Sequence, residues 1–410
     1  MKKKRTAVLI CMCMTGLICA CTAEPEKLPA PAQSERKEDT QEETAERAKQ
    51  AKLEAISPSA YGNIDGLNVE PAAYFSIIGK AGSEEYWSMV KEGAEAAVAD
   101  LNKVLGYEGG DKAKVDYSGP SEPDNVDEQI NILDEELARY PSALGIAVID
   151  SQSCNVQFDL AVQNGIPIIT YDTISSYQGI MANISTDNKK ASAEAAVHMA
   201  EELEEKGQVL VLGNDSRSQT CRQRTESFAA EIEENHSEMT VTEIYYMDKL
   251  DEVKEKIARE RAGLPEAAPE DGELSEDTAD EAAVLEEALS EITDEEAYEY
   301  IFEKNPDING IFASNGQAAM QMVNLCGKLE KEDTVIIGYD SDAEEIEALT
   351  DGKITGLIVQ NPYGMGYAAI VAEARCILEL GNEAEIDTGY TWVTVDNIDS
   401  KDIQRMLYTK

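Results

Sequence analysis

The sequence predicts an α/β protein built from two parallel sheets with flanking helices. From residue 72 onward, short apolar runs alternate with longer amphipathic stretches. Most of these runs lack polar alternation, which is typical of strands covered on both faces, and regular strand–helix alternation indicates parallel pairing. The runs are too many for one small open sheet, so two sheets suit them better. The predicted strands are residues 74–79, 143–149, 166–171, 208–212, 240–246, 308–313, 334–339 and 355–359, and a helix is predicted over 84–105.

The N-terminal residues 1–20 have the pattern of a secretory signal peptide. A basic stretch, residues 2–5, precedes the apolar run 7–20, which is too short for a comfortable membrane span. The run ends in Ile-Cys-Ala-Cys, which resembles a bacterial lipobox. This pattern predicts that Cys21 is lipidated and becomes the mature N-terminus, tethering the protein to a membrane. An ordinary signal peptide with incidental cysteines is the alternative.

Residues 21–70 are predicted to form a flexible stalk. They are rich in Glu, Lys, Ala, Pro, Ser and Gln and poor in large apolar residues. Such a composition buries too little surface to offset the entropy lost on ordering.

The charge of the chain excludes one class of partner. The formal net charge is -46 over 410 residues, while the hydrophobic content of 42% is ordinary for a folded protein. An acidic surface repels phosphates, so we expect no binding to DNA or RNA.

One acidic segment, residues 259–293, interrupts the regular alternation of strands and helices. It begins with a proline-punctuated loop and continues with a predicted solvated helix over residues 277–292. We interpret the segment as a surface insertion. A docking site for a partner is the alternative.

The sequence lacks the common motifs of catalytic sites. It has no phosphate-cradling glycine motif and no GxSxG elbow, and its only histidines, His198 and His236, lie in helical surroundings. The cysteines beyond the leader are widely spaced and lack zinc-site spacing, so buried free thiols are expected. We therefore predict a binding protein with no cofactor and no metal rather than an enzyme. These cysteines are Cys154, Cys221, Cys326 and Cys376.

Polar side chains follow several predicted strands, where ligands bind in open α/β sheets. Tyr86 and Trp87 begin the first helix and would form a platform for the apolar face of a sugar ring. The alternative is that one of them packs under the helix. Asp172 ends an apolar strand, where a carboxylate accepts hydrogen bonds from neighbouring hydroxyls.

Three further candidates lie later in the chain. Arg222 is near a helix start and offers a planar fork of donors. Asn315 and Asp340 follow two more strands. For these residues, as for Asp172, a solvated turn or a local cap is the alternative.

The segment from about residue 72 to residue 410 resembles the sugar-binding family of type I periplasmic binding proteins, the group of the ribose- and galactose-binding proteins. The similar motifs occur in the family's order, and together they are specific although each alone is weak. They are Tyr86-Trp87 followed by Lys91-Glu92-Gly93-Ala94, Gly165-Ile166-Pro167 with Asp172, Asp187-Asn188, Arg222-x-Arg224 with Phe228, residues 312–315, Gly338-Tyr339-Asp340, and Gln360-Asn361-Pro362 with Gly366.

The resemblance implies two Rossmann-like lobes joined by a three-strand hinge, the type I periplasmic-binding-protein fold. It implies an N-terminal lobe of residues 71–186 plus 361–396 and a C-terminal lobe of residues 187–360 plus 397–410, with chain crossings near Thr186, Gln360 and Asn397.

The resemblance also implies roles for the site residues. The aromatic pair would stack on the ligand, and hydroxyls would be bound by Glu84, Asp172, Arg222, Asn315, Asp340 and, from beside the hinge, Gln360. Two departures matter: Glu84 stands where ribose-type members often have Asn, and Thr173 where they often have Arg. Ribose itself is therefore not the expected ligand. Tyr246 is a candidate for a third aromatic wall.

The resemblance implies a monomeric, lipid-anchored, extracytoplasmic substrate-binding protein that delivers a small polar ligand to the membrane permease of an ABC sugar importer. A monosaccharide suits the Asp, Asn and Arg set, and polyols, furanosides or nucleoside-like compounds are the other options. The alternative function is a sensory module that presents its ligand-bound form to a membrane kinase or chemoreceptor.

Overall fold

The computed structural model describes residues 41–264 and 277–408. The strands are β1 (Tyr74–Ile78), β2 (Lys114–Ser118), β3 (Ala143–Ile146), β4 (Ile168–Tyr171), β5 (Ile180–Ser185), β6 (Gly207–Gly213), β7 (Met239–Tyr246), β8 (Ile308–Ala313), β9 (Val335–Tyr339), β10 (Gly356–Gln360), β11 (Glu385–Asp387) and β12 (Tyr390–Val393). The helices are α1 (Gln41–Glu54), α2 (Glu85–Leu105), α3 (Val126–Ala138), α4 (Asn155–Gln163), α5 (Asn188–Glu202), α6 (Gln219–Asn235), α7 (Leu250–Ala262), α8 (Asp277–Glu291), α9 (Asp294–Lys304), α10 (Gly316–Lys328), α11 (Ala343–Thr350), α12 (Pro362–Ile377) and α13 (Lys401–Gln404).

The strands form two six-stranded sheets, each of which defines a lobe. The sheet of the N-terminal lobe has the order β11-β5-β4-β3-β1-β2 and is parallel throughout. The sheet of the C-terminal lobe has the order β12-β10-β9-β8-β6-β7 and is parallel except for β12, which runs antiparallel to β10. The predicted fold class, two parallel sheets with flanking helices, is confirmed.

Each predicted strand overlaps an observed strand. The strands that the sequence analysis missed share one feature, their position in the sheets. β2, β11 and β12 lie at sheet edges, and β5 lies next to one. Edge strands are only partly covered, so they carry polar side chains and lack continuous apolar runs. In β2, for example, all five residues are exposed or half-buried.

The chain crosses between the lobes three times, and the third crossing differs from the expected one. β5 ends at Ser185 and α5 begins at Asn188 in the other lobe, while β10 ends at Gln360 before α12. The third crossing lies between β11 and β12, because Asp387 pairs with Ser185 whereas Tyr390 pairs with Gln360. The expected crossing near Asn397 is therefore wrong, and residues 390–396 belong with the C-terminal lobe.

The predicted flexible stalk is wrong for residues 41–70. Buried apolar side chains in this segment pack against the N-terminal lobe, and the backbone of Ser57 pairs with Asp387. The Asn361 side chain also donates from Nδ2 to the Lys52 carbonyl at 2.7 Å. The segment is polar on average, but it contains a few well-spaced apolar residues, and burying these is enough to dock it against the lobe. They are Leu53, Ile56, Tyr61, Ile64, Leu67 and Val69.

Two glycines allow α2 and α12 to cross at close range. A Cβ on Gly93 of α2 would overlap the Tyr363 carbonyl oxygen, and a Cβ on Gly366 of α12 would overlap the Val90 carbonyl oxygen. Both glycines belong to the motifs noted in the sequence. Glycine is required at these positions because a side chain would prevent the two helices from packing this closely. The close crossing fixes the start of α2, where Tyr86 lies, against α12.

The acidic segment 259–293 contributes to two elements. Its first residues end α7, and a helix follows over Asp277–Glu291, as the sequence predicted. That helix is solvated on one side only, because Leu285 and Leu289 are half-buried against the neighbouring core. Ile292, directly after the helix, is buried in the same core. Residues 265–276 lie outside the described part of the chain.

The predictions about the leader fall outside the described residues, since Cys21 and the signal peptide lie within residues 1–40. Within residues 41–264 and 277–408, no helix combines the length and apolar character that crossing a membrane requires. The four cysteines of the folded part are free thiols, three of them buried and Cys376 half-buried.

Candidate ligand-binding cleft

A cleft of about 1000 Å³ separates the two lobes at the carboxyl ends of their strands. This volume is at the upper end of the usual range for small-molecule sites. Of the residues predicted to bind ligand, all except Arg222 line it. The predicted residues in the lining are Glu84, Tyr86, Trp87, Asp172, Asn315, Asp340 and Gln360.

Asp172 is a buried carboxylate on the N-terminal side of the cleft. It follows β4 directly, in the left-handed region with φ 58°, and is 8% exposed. Tyr86 Oη donates to its Oδ1 at 2.7 Å, Thr173 Oγ1 donates to its Oδ2 at 2.9 Å, and Lys80 Nζ lies 3.7 Å from Oδ2. A carboxylate accepts about four hydrogen bonds, so Asp172 keeps acceptor capacity for ligand hydroxyls.

The aromatic pair at the start of α2 is packed more tightly than the expected open platform. Tyr86 and Trp87 are 8% and 6% exposed, and their rings meet edge to face with centroids 5.0 Å apart. Tyr86 also meets Tyr408 edge to face at 5.5 Å. Burial, followed by the charge of Asp172, raises the pKa of the Tyr86 phenol well above its usual value. Tyr86 is therefore a neutral hydrogen-bond donor that fixes the Asp172 carboxylate.

Arg224, not Arg222, is the arginine of the cleft. Arg222 is half-buried and donates from Nη1 to the Ser216 carbonyl at 2.5 Å. The assignment of Arg222 is therefore corrected: two residues on a helix differ by about 200° in direction, so only one of the pair can face the cleft.

Arg224 is 5% exposed, and its guanidinium is held by three acceptors. It donates to Asn188 Oδ1 at 2.7 Å, to the Ser314 carbonyl at 2.8 Å and to Gln360 Oε1 at 2.8 Å, and it lies 4.0 Å from the centroid of the Tyr339 ring. A planar fork of donors suits such a set of acceptors.

Asp340 and Gln360 link the cleft to the hinge. Gln360 Nε2 donates to Asp340 Oδ1 at 2.7 Å, and Thr186 Oγ1 donates to Gln360 Oε1 at 3.1 Å. Tyr408 Oη donates to the same Asp340 oxygen at 3.2 Å. Burial raises the pKa of Asp340, and the positive charge of Arg224 opposes that shift. These contacts join two of the three crossing segments to one half-buried carboxylate.

Asn315 has the capping role that the sequence left open. It is the N-cap of α10, and its Oδ1 accepts from the Ala318 backbone at 3.0 Å. Because Asn315 also lines the cleft, its amide nitrogen is the group that a ligand would meet.

The lobes already touch across the cleft. Thr220 Oγ1, in the C-terminal lobe, donates to the Asp172 carbonyl at 3.2 Å. The Ala343 backbone N–H donates to Glu85 Oε2 at 3.2 Å. These contacts describe a closed arrangement, in which groups from both lobes reach a single ligand.

Among the residues that sequence reasoning missed are Lys80, which follows β1, and Asp342 and Glu345 at the start of α11, all of which line the cleft. Tyr408, at the far end of the chain, contacts the cleft residue Asp340. The position after a strand was a usable signal for Lys80 and Asp342. No local pattern indicates Tyr408, because its place depends on a contact with Asp340 across 68 positions.

The candidate aromatic wall, Tyr246, lies elsewhere, and so does His198, for which no site role was expected. Tyr246, proposed as a third aromatic wall, contacts Thr225 through its hydroxyl and does not line the cleft. His198 stacks on Trp392 with ring centroids 4.2 Å apart. Among the residues that the structure describes, no group of three or more His, Cys, Asp or Glu side chains is arranged to hold a metal ion.

The chain is similar to known solute-binding proteins in both sequence and structure. Residues 75–266 and 270–376 match the family described as "Periplasmic binding protein domain". The ribose import binding protein of Escherichia coli is 20% identical over 287 residues, which cover 68% of this chain and 82% of that protein. The ribose import binding protein of Bacillus subtilis is 20% identical over 60% of this chain and 66% of its own length.

Two solved structures have a similar fold. A carbohydrate transporter solute-binding protein from Agrobacterium radiobacter, in complex with D-arabinose, has a TM-score of 0.62 and 25% identity and covers 82% of this chain and 98% of its own. An ABC transporter solute-binding protein from Agrobacterium vitis, bound to α-D-tagatopyranose, has a TM-score of 0.64 at 21% identity and covers 82% and 100% of the two chains. The chain thus belongs to the periplasmic binding protein family, whose members are solute-binding proteins and not enzymes, as the sequence predicted.

Proposed function

We propose that this protein captures a monosaccharide between its two lobes and delivers it to the membrane permease of an ABC sugar importer. One observation carries the proposal: a single cleft is lined by hydrogen-bonding side chains from both lobes, with Asp172 on one side and Arg224 on the other. A ligand that touches both sides stabilises the closed state, because only that state satisfies all its contacts. Closure then distinguishes the loaded form for the permease.

The relatives support a sugar ligand. Two of the structural neighbours are bound to D-arabinose and to α-D-tagatopyranose, and the curated relatives are ribose import binding proteins. Family membership also indicates an extracytoplasmic location. The lining of this cleft includes Asp, Glu, Asn, Gln and Arg side chains, which pair with hydroxyl groups.

A thermal-shift panel of pentoses and hexoses tests the sugar ligand. A bound monosaccharide at about 100 times its Kd adds about 2.7 kcal/mol of stability. We expect at least one sugar to raise the unfolding temperature and to be confirmed by calorimetry. If no sugar in the panel binds, the proposed function is wrong.

Asp172→Asn tests the cleft. The substitution keeps the size of the side chain but removes the charge-assisted acceptor, so the affinity for the bound sugar should fall about 10- to 100-fold. Asp134→Asn, which changes an exposed carboxylate on α3 of the same lobe, is the matched control and should bind as wild type does. Equal affinities for both variants would contradict the role of Asp172.

We also propose lipid anchoring through Cys21. With the leader intact, Cys21→Ser should prevent processing at residue 21 or release the protein from the membrane fraction. Fractionation and mass spectrometry of the mature N-terminus measure this. A membrane-bound, normally processed Cys21→Ser protein would rule out the anchor, without affecting the sugar-binding proposal.

A further inference from the structure

Glu373 of α12 is a carboxyl group buried without a partner. It is 0% exposed and lies where α12 packs on the sheet of the N-terminal lobe. Neither of its oxygens has a hydrogen-bond partner within residues 41–264 and 277–408. An ionised carboxylate in such a place is far more costly than a protonated one. Burial, as the one cause, accordingly raises the pKa of Glu373 well above its usual value.

The sheet leaves room for this carboxyl at a glycine. A Cβ on Gly145 of β3 would lie 2.6 Å from Glu373 Oε1, and 2.9 and 3.0 Å from the Cδ1 atoms of Ile77 and Ile169. Glycine inside a strand often marks the close approach of another group. The carboxyl of Glu373 therefore meets the sheet at Gly145, between two isoleucines.

Few ionisable groups face Glu373. On the side of the sheet toward α12, the ionisable side chain among the described residues is Tyr171 of β4, a buried phenol whose pKa is raised first by burial and also by Glu373. On α12 itself, burial followed by Glu373 raises the pKa of Cys376 to about 11. Other ionisable groups on α12 and on the elements packed against it contact one another or other partners: Lys49 and Tyr367 contact Asp100, Lys52 lies over Tyr363, Arg375 lies over Tyr61, and Tyr86 contacts Asp172.

The position of α12 connects Glu373 to the working parts of the protein. The helix begins at Pro362, directly after the second crossing between the lobes, and it crosses α2 at close range. The start of α2 carries Tyr86, which donates to Asp172 in the cleft. Looser packing of α12 on the sheet would therefore affect both the hinge and the N-terminal side of the cleft.

We propose that Glu373 makes the packing of α12 on the N-terminal sheet sensitive to pH: the protonated side chain is accommodated, and loss of its proton loosens the lobe. Since family membership indicates an extracytoplasmic location, the lobe is exposed to the pH of its surroundings. This inference does not depend on the identity of the ligand.

The direction of the effect follows from proton binding. An unfolded chain releases the glutamic acid proton at about pH 4.3, whereas the folded lobe keeps it to higher pH. Below that pH both states are protonated, and the contribution of Glu373 to stability is fully present. As the pH rises, the unfolding equilibrium constant increases by up to about tenfold per pH unit, until the folded group also ionises.

Urea unfolding of the full chain without ligand, from about pH 5.5 to about pH 7.5, tests the proposal. The chain has two tryptophans, Trp87 and Trp392, so in a Trp392→Phe background the fluorescence reports the N-terminal lobe. Glu373→Gln keeps the size of the side chain and cannot ionise. We expect the unfolding constant of the Glu373 protein, divided by that of Glu373→Gln, to rise at least about tenfold over this range.

Two further variants complete the test. Glu373→Met fills the same space with an apolar side chain, so a folding defect of the buried amide does not prevent the measurement, and its ratio should rise with pH in the same way. Glu379→Gln changes an exposed carboxylate just after α12, and its ratio should stay constant. A rise below tenfold for both Glu373 variants would overturn the proposal. An equal rise for Glu379→Gln would also overturn it, because an exposed carboxylate would then account for the effect.

Discussion

Replacement of Arg224 by methionine is expected to reduce the affinity for the bound sugar at least ~100-fold and to destabilise the C-terminal lobe by about 3–5 kcal/mol. Arg224 is buried and provides hydrogen bonds to three acceptors on different segments. Its removal leaves the nearby charge of Asp340 uncompensated and frees Gln360 at the hinge. Breaking one side of a buried charge pair is costly for this reason. Calorimetry measures the affinity, and urea unfolding measures the stability.

The neighbouring arginine provides the control. Arg222→Met removes a similar side chain that makes one hydrogen bond, to the Ser216 carbonyl, and lies outside the cleft lining. We expect its affinity to change less than about threefold. Arg224→Lys should lie between wild type and Arg224→Met, because lysine retains the charge but lacks the planar fork. Loss of binding in Arg222→Met with retention in Arg224→Met would restore the sequence-based assignment.

The fold was predictable because buried parallel strands leave a strong pattern. The core strands, such as β8 and β10, are covered on both faces and must be apolar at nearly every position. Edge strands such as β2 carry no such requirement, so their sequences resemble loops. The third crossing was misplaced for the same reason, since it lies between the short edge strands β11 and β12.

Site residues could be predicted from the sequence only where they come directly after a strand. Asp172 and Asp340 each directly follow a strand, with φ of 58° and 78°, and this position could be inferred from the apolar run before it. Choosing between Arg222 and Arg224 required the orientation of α6 relative to the cleft, which depends on packing between elements. Tyr408 depends on contacts between distant parts of the chain, for which local sequence carries no signal.

The segment before the first strand illustrates a different limit. Composition averages over residues 21–70 indicated a polar stalk, but docking depends on individual positions. Tyr61 is 2% exposed, accepts from the Glu383 backbone N–H at 2.7 Å and donates to Asn382 Oδ1 at 3.3 Å. The Arg375 guanidinium lies 5.3 Å from the centroid of its ring. One tyrosine thus joins the segment to the end of α12 and the loop that follows.

Tyr61→Ala is therefore expected to lower the free energy of unfolding of the N-terminal lobe by about 3–5 kcal/mol, the usual cost of truncating a large buried aromatic side chain to alanine. Tyr61→Phe, which removes only the hydroxyl and leaves the Glu383 N–H unpaired, should cost about 1–3 kcal/mol. Asn68→Ala, at an exposed position of the same segment, should stay within about 0.5 kcal/mol of wild type. Urea unfolding followed by a probe in the N-terminal lobe measures all three. A flexible stalk would contribute no contacts to the folded state, so wild-type stability in Tyr61→Ala would show that residues 41–70 do not dock in solution. A graded loss, larger for alanine than for phenylalanine, would show that the segment is part of the lobe.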